Sequence, residues 1–359
     1  MDCPAKGQDF QAGCQRKRGI LPRRTFVNNC NFATARCRFG GPVCYRLGLQ
    51  EISVKIAIFG GTGFVGGYLV DALLSAGHEP VLLVRAGSEH KVRQGQSVKI
   101  VSGDLANLRA VEAAVDGVDA VIYNVGILRE QPRKGITFER LQYRGAVRVI
   151  EAARRAGVSR LLLMSANGVR VPGTPYQETK YRAEEFARHS GMDVTIFRPS
   201  VIFGDPRGTY EFASQLHQEM VTPPLPGVGF QNGWSNESGE IRMSPVHVED
   251  VANAFVDALG NSETIGKTYL LGGPESLSWN DMIRRVAAAT GRRKTIVPMP
   301  ICVMRIGATM LDWLPFFPVT RDQLTMLSEG NEVETDDVRN LTGREPTPFA
   351  ADTLNYLNG

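Results

Sequence analysis

The sequence predicts an α/β protein built on a doubly wound parallel sheet, with a smaller C-terminal lobe. Three observations carry that reading. Short apolar, β-branched runs alternate with helical stretches from residue 54 to residue 200. A glycine-rich turn, "FGGTGFVGG", joins the first such run to the first helix. Past residue 200 the alternation stops, and Pro, Gly and Asn interrupt the pattern.

The elements follow in order. "VKIAIF" (54–59) is apolar and β-rich, ends in glycines, and reads as a buried strand. "FVGGYLVDALLSAG" (64–77) has helical periodicity and stops at Gly77. "PVLLVR" (80–85) and "VKIVSGD" (98–104) are the second and third strands, and "LRAVEAAVDG" (108–117) is a helix. "DAVIYNVG" (119–126) is the fourth strand, followed by a long helix, "FERLQYRGAVRVIEAARRAG" (138–157). "SRLLLMSANG" (159–168) is the fifth strand, 176–190 the next helix, and "DVTIFRPS" (193–200) the sixth strand. Alternation of this kind implies parallel strands covered on both faces by right-handed crossovers. Beyond it, 221–240 reads as loop, "KTYLLGG" (267–273) as one more strand, and 278–290 and 301–314 as helices. The expected division is therefore a basic extension (1–53), a sheet domain (54–205, joined by the strand near 267–273), and a lobe formed mainly by 206–359. That lobe is expected to close over the carboxyl edge of the sheet.

The 359 residues carry a formal net charge of +4, but the excess is local. Residues 1–53 hold 9 Lys and Arg against 3 Asp and Glu, so the body is slightly acidic and offers no nucleic-acid surface. Cys3, Cys14, Cys30, Cys37 and Cys44 also lie in the extension, leaving only Cys302 beyond it. One cysteine in such a body suits a reducing, cytoplasmic compartment. The extension has no C-x-x-C and no histidine, so no metal site is expected there. It reads as an Arg-rich targeting peptide for an organelle such as the mitochondrial matrix, as a disordered basic tail, or as the product of a start site placed too early, since Val54 opens the first strand. No apolar run reaches the roughly 20 residues that a membrane-spanning helix needs. The segment 300–319 is apolar but broken by Arg305, Asp312 and Pro315. It is expected to be a core helix, or a patch for a partner or a peripheral membrane contact.

The glycine turn fits G-x-G-x-x-G through Gly61, Gly63 and Gly66, and G-x-x-G-x-x-G through Gly60, Gly63 and Gly66. Between a strand and a helix, that spacing lets a diphosphate approach the helix N-terminus, where a side chain would block it. The turn residues Gly60, Gly61, Thr62, Gly63, Phe64, Val65 and Gly66 are thus candidate dinucleotide contacts. At the end of strand two, where an acid would hold the ribose hydroxyls of NAD(H), the chain has Arg85. A guanidinium suits a 2′-phosphate, so NADP(H) is favoured over NAD(H); the alternative is a solvent-facing arginine. Asp104 and Leu105, after strand three, are placed to meet the adenine; the alternative for Asp104 is a turn aspartate.

"TPYQETKYRAEEFAR" (174–188) puts Tyr176 and Lys180 on one helix face. A free phenol titrates near pH 10, and lowering it by two to three units needs roughly 3–4 kcal/mol of stabilisation of the phenolate. A neighbouring ammonium is expected to supply much of that.

Taken together, the glycine loop, "SGDLAN", "YQETK", "FRPSVIFGD" and "SPVHVEDVANAF" resemble an extended or atypical short-chain dehydrogenase/reductase. "PFFPVTRDQLTMLSEGN" is similar to the branch containing the NAD(P)-binding accessory subunit of respiratory complex I and its bacterial relatives. The resemblance covers about residues 54–355. It implies a seven-stranded parallel Rossmann core, a C-terminal substrate lobe and hydride transfer at a nicotinamide. It places the family's tyrosine on Tyr176 and its lysine on Lys180, with Asn124, Val125 and Gly126 lining the cofactor and Pro199 and Val201 framing the nicotinamide. The family's carbonyl-polarising Ser or Thr aligns with Asn167, and Ser165 is the other candidate. His247 is expected to support structure, paired with its helix start at Glu249 and Asp250. Arg198 is expected to be an anchor, and Phe230 and Trp234 loop packing.

Three functions fit this reading. The first is an NAD(P)-dependent oxidoreductase acting on a small-molecule substrate. The second is a non-catalytic NADPH-binding accessory or assembly protein with a respiratory-complex partner, peripheral to a bacterial inner membrane. The third is a nucleotide-sugar epimerase or dehydratase.

Overall fold

The computed structural model describes residues 53–93, 97–231, 240–303, 321–333 and 336–358. The expectations for residues 1–52, for Trp234 and for most of the 301–314 helix lie outside these residues.

Seven parallel strands form one sheet. Six come from the alternating half: β1 (Lys55–Phe59), β2 (Glu79–Val84), β3 (Lys99–Ser102), β4 (Ala120–Tyr123), β5 (Arg160–Met164) and β6 (Asp193–Pro199). The seventh, Thr268–Leu271, arrives from the second half and pairs with β6, register Thr268 to Ile196. The order is seventh strand, β6, β5, β4, β1, β2, β3. The strand order reverses between β1 and β4, and such a reversal opens a crevice at the carboxyl ends of those strands.

Strands buried on both faces need continuous apolar runs. Ile56, Ala57, Ile58 and Phe59 of β1 and all four residues of β4 are buried. On one face lie α1 (Phe64–Ser75), helix Val248–Leu259 and helix Asp337–Thr342. On the other lie α2 (Leu108–Val115), α3 (Gly145–Arg155) and α4 (Pro175–Arg188). Segments beyond residue 206 thus complete one layer of the sheet domain as well as building the lobe. The lobe has its own core around Phe203, Phe230, Trp279, Ile283 and Phe349. Trp279 holds the two parts of that core together, donating its indole N–H to Val228 O at 2.9 Å.

Local chemistry fixes the helix starts. Asn107 caps α2 by accepting from Ala110 N. Thr174 and Gln177 form a reciprocal capping box on α4, with Pro175 in its first turn. One segment departs from its periodicity. Residues expected to be regular helix from 138 open with a π-helical turn, Glu139–Arg144. There the Leu141 carbonyl accepts from the Tyr123 hydroxyl, and Gln142 turns inward to bond Ile127 O and Thr179 Oγ1. These tertiary bonds offset the wider turn, and hydrophobic spacing carries no trace of them.

Arg160 shows how the amino edge is locked. It is buried, and its guanidinium donates to Asp193 O at 2.8 Å, Ala258 O at 2.7 Å and Thr264 Oγ1 at 2.8 Å. Arg160→Met is expected to strip these acceptors of their charge-assisted bonds and to lower unfolding free energy by about 2–4 kcal/mol. Urea denaturation measures it, and a loss below about 0.5 kcal/mol contradicts the assignment.

Candidate dinucleotide and active site

The crevice at the carboxyl ends of β1 and β4 is walled by backbone. Gly60 adopts φ +94°, and a Cβ there would lie 2.5 Å from Asn124 O. A Cβ on Gly66 would lie 2.1 Å from Gly60 O, so glycine lets α1 press onto the turn. Gly63 is exposed, and its nearest neighbour would be 3.5 Å from a Cβ. It is the N-cap of α1 and contributes no side-chain cap, so the first amides of Phe64, Val65 and Gly66 remain for a ligand. Gly61 is packed against Leu82, and Thr62 is half-buried. This bare cradle fits a dinucleotide diphosphate.

Around the cradle, Arg85 is exposed directly after β2, and among the described residues no protein group bonds its guanidinium. Asp104 is also exposed, but its Oδ1 accepts from Ala106 N at 2.8 Å and Asn107 N at 3.0 Å, which closes the turn before α2. Leu105 is half-buried beside it. Asn124 N continues the β1 pairing to Phe59 O at 2.9 Å. Val125 lines a small cavity, and Gly126 stands at the rim, its Cβ position 3.7 Å from Lys180 Nζ.

The capping box directs α4 so that Tyr176 and Lys180 face this rim. Lys180 is buried, donates to Met164 O at 3.1 Å, and lies 5.9 Å from the centre of the Tyr176 ring. Tyr176 is half-buried and packs edge-on against Phe138. The sequence leads one to expect a phenol lowered by its lysine. In the free chain the shift is opposite: burial pushes Tyr176 up to about 12. Burial also pushes Lys180 down to about 8, opposed by the charge of Glu184. Desolvation outweighs the attraction between two groups that nothing bridges. The pair is therefore poised with the phenol protonated, as a proton donor requires.

The third position differs from expectation. The Asn167 amide donates to Asn331 Oδ1 at 2.9 Å and Glu332 O at 3.0 Å, so its hydrogens tie the end of β5 to the C-terminal segment rather than facing a substrate carbonyl. Ser165 is buried, and its hydroxyl has no partner among the described residues. It lines a cavity of about 10 Å³ with Gln142, Lys180 and Tyr123, the room of one water. Residues 329–333 form a strap over this edge. Glu329 pairs with Arg170 and accepts from Gln177 Nε2 at 2.8 Å, and Asn331 O accepts from Ser200 Oγ at 2.6 Å. Gln177, Glu329 and Asn331 escaped the sequence reading, because no spacing rule joins residues more than 150 positions apart.

Pro199 is buried at the end of β6, and its carbonyl accepts from Asn167 N. Val201 is half-buried and accepts from Val246 N. His247 caps helix Val248–Leu259 without a side-chain bond, and its buried Nδ1 has no hydrogen-bond partner among the described residues. The expected pairing with Glu249 and Asp250 is one of charge without a hydrogen bond, and Asp250 itself accepts from Thr347 N at 2.7 Å. Arg198 is an anchor, gripping Glu184 through two bonds of 2.8 and 2.6 Å. Phe230 packs in the lobe core, 5.2 Å from Trp279. Among the described residues no group of His, Cys, Asp and Glu could hold a metal ion.

Residues 60–223 match the family model described as NAD(P)H-binding. Over that stretch the chain is similar to NAD(P)H-binding domains. It is 29% identical over 261 residues to the ceramide reductase of Caulobacter vibrioides, covering 72% of this chain and 78% of that protein. It is 27% identical over 308 residues to the mitochondrial NADH-ubiquinone oxidoreductase 40 kDa subunit of Neurospora crassa, covering 84% and 78% respectively. The crystal structure of gox2253 superposes with a TM-score of 0.67 over 85% of this chain and 96% of that one, at 24% identity. A reductase and a complex I subunit are thus among the proteins to which this chain is similar. No helix among the described residues is long and apolar enough to cross a membrane.

Proposed function

We propose that this protein is an NADP(H)-preferring reductase that transfers a hydride to a carbonyl or related group. The observation that carries the proposal is the meeting of Tyr176, Lys180 and Gly126 at the carboxyl edge onto which the glycine cradle opens. A bound nicotinamide supplies the hydride. Residues 60–66 hold the diphosphate on backbone amides, and Lys180 donates to the nicotinamide ribose while its charge favours a phenolate at Tyr176. Tyr176 Oη gives its proton to the developing alkoxide. Pro199 and Val201 wall the nicotinamide side, and the strap at 329–333 excludes water from the substrate side. The test is NADPH oxidation against a panel of carbonyls and quinones. Turnover with at least one substrate class is expected.

Arg85 carries the NADPH preference. Arg85→Asp is expected to weaken NADPH by on the order of 10- to 100-fold, since it removes a charge-assisted contact and adds repulsion. NADH affinity should change little. Fluorescence titration with both coenzymes measures this, and equal losses would remove the preference.

A second reading is a non-catalytic NADPH-binding accessory or assembly protein of a respiratory complex. It is favoured by Asn167, whose amide hydrogens are held by the strap, and by Ser165, whose hydroxyl is enclosed. On that reading the chain works beside a membrane complex, at the cytoplasmic face in a bacterium or in the mitochondrial matrix. Retained NADPH without turnover of any panel member would favour it.

A further inference from the structure

We propose that Glu184 is a positioning residue for Lys180: a buried carboxylate that keeps the lysine an ammonium and, through Arg198, fixes the catalytic helix to the strand that ends at the nicotinamide wall. The inference rests on the cofactor reading given above. Tyr176, Lys180 and Glu184 are spaced four apart on α4, so they stack along one helix face. Glu184 is wholly buried. Arg198 grips it with Nε at 2.8 Å and Nη2 at 2.6 Å, and Arg188 adds a bond of 3.0 Å to Oε2. Arg198 stands immediately before Pro199 and Ser200, and Ser200 holds the strap. One carboxylate thus joins the helix that carries the proton donor to the strand end beside it.

The charged and titratable groups facing Lys180 are few. On α4 they are Tyr176 and Glu184; from β4 comes Tyr123, whose hydroxyl burial pushes far up and which is bonded to Leu141 O. From β5 come the Met164 carbonyl and Ser165, and from the π-turn the uncharged Gln142. Glu184 is the anion of this set, and its field opposes the desolvation of Lys180. Without it, no anion of this set opposes the desolvation of Lys180.

The experiment measures NADPH affinity by fluorescence from pH 7 to pH 9.5, above the range where a 2′-phosphate titrates. The native chain should bind well while Lys180 is an ammonium and lose affinity as it deprotonates near pH 8. Lys180→Met should abolish that limb. Glu184→Gln should move its midpoint down by about one unit, so that at pH 8 about a tenth of the lysine is charged instead of half, and affinity is about fivefold lower. Glu184→Asp, which restores the charge, should return the midpoint toward 8. A loosened helix would instead weaken binding equally at every pH, and Glu184→Asp would not rescue it. If Glu184→Gln does not fold, Glu184→Gln with Arg198→Gln removes both charges and should still show the lowered midpoint. An unmoved midpoint in a folded variant, or a native chain with no limb, overturns the inference. A shifted midpoint in a chain that turns over no substrate upholds it while sinking the reductase reading. A native chain that binds no NADPH at any pH overturns both.

Discussion

Gly66→Ala should reduce NADPH affinity by on the order of 100-fold and destabilise the fold by about 1–3 kcal/mol. The added Cβ would stand 2.1 Å from Gly60 O and 2.7 Å from Gly61 Cα, both backbone atoms that no rotamer change can move aside. The turn must therefore shift by about 1 Å for ordinary contact, and the amides aimed at the diphosphate shift with it. Gly63→Ala separates the two effects. Its Cβ meets nothing closer than 3.5 Å in the free chain, so the fold should survive. The same methyl stands where the diphosphate approaches, so binding should still fall. Thermal melts and NADPH titration on the two variants measure both quantities. Gly66→Ala binding within threefold of the native chain would contradict the geometry.

Tyr176→Phe is expected to lower kcat/KM by about 100- to 10,000-fold, the range for removing a positioned general acid. NADPH affinity should remain within about threefold, because among the described residues the lost hydroxyl has no protein partner to strand, and the ring keeps its packing against Phe138. Burial holds the phenol near 12 in the free chain, so it is a ready acid but not a base until Lys180 and a bound coenzyme act on it. The reduction direction should therefore be the faster one at neutral pH. Steady-state kinetics on any substrate that the panel yields decides the matter. An unchanged rate in the phenylalanine variant would remove Tyr176 from the proton transfer.

Those two expectations rest on parts of the molecule that were legible in the sequence. The glycine turn could be read because close backbone approach demands glycine at fixed spacing, and the five inner strands because burial on both faces demands unbroken apolar runs. Tyr176 and Lys180 could be placed because a helix repeats every 3.6 residues. Their electrostatics could not, since burial sets the direction of both shifts and burial is a property of the packed whole. Asn167 shows the same boundary. Its alignment with a polarising serine was visible, but its bonds to Asn331 and Glu332 join residues 164 and 165 positions away. The π-turn at Glu139–Arg144 likewise depends on Tyr123 and Thr179, which meet it only after the sheet has formed.

Isothermal calorimetry of the full chain with NADPH and with NADH tests the central claim most directly. One coenzyme per chain is expected, with NADPH the tighter of the two. Absence of binding by both, in protein shown to be folded, would contradict the assignment of the turn at residues 60–66 and every role placed around it.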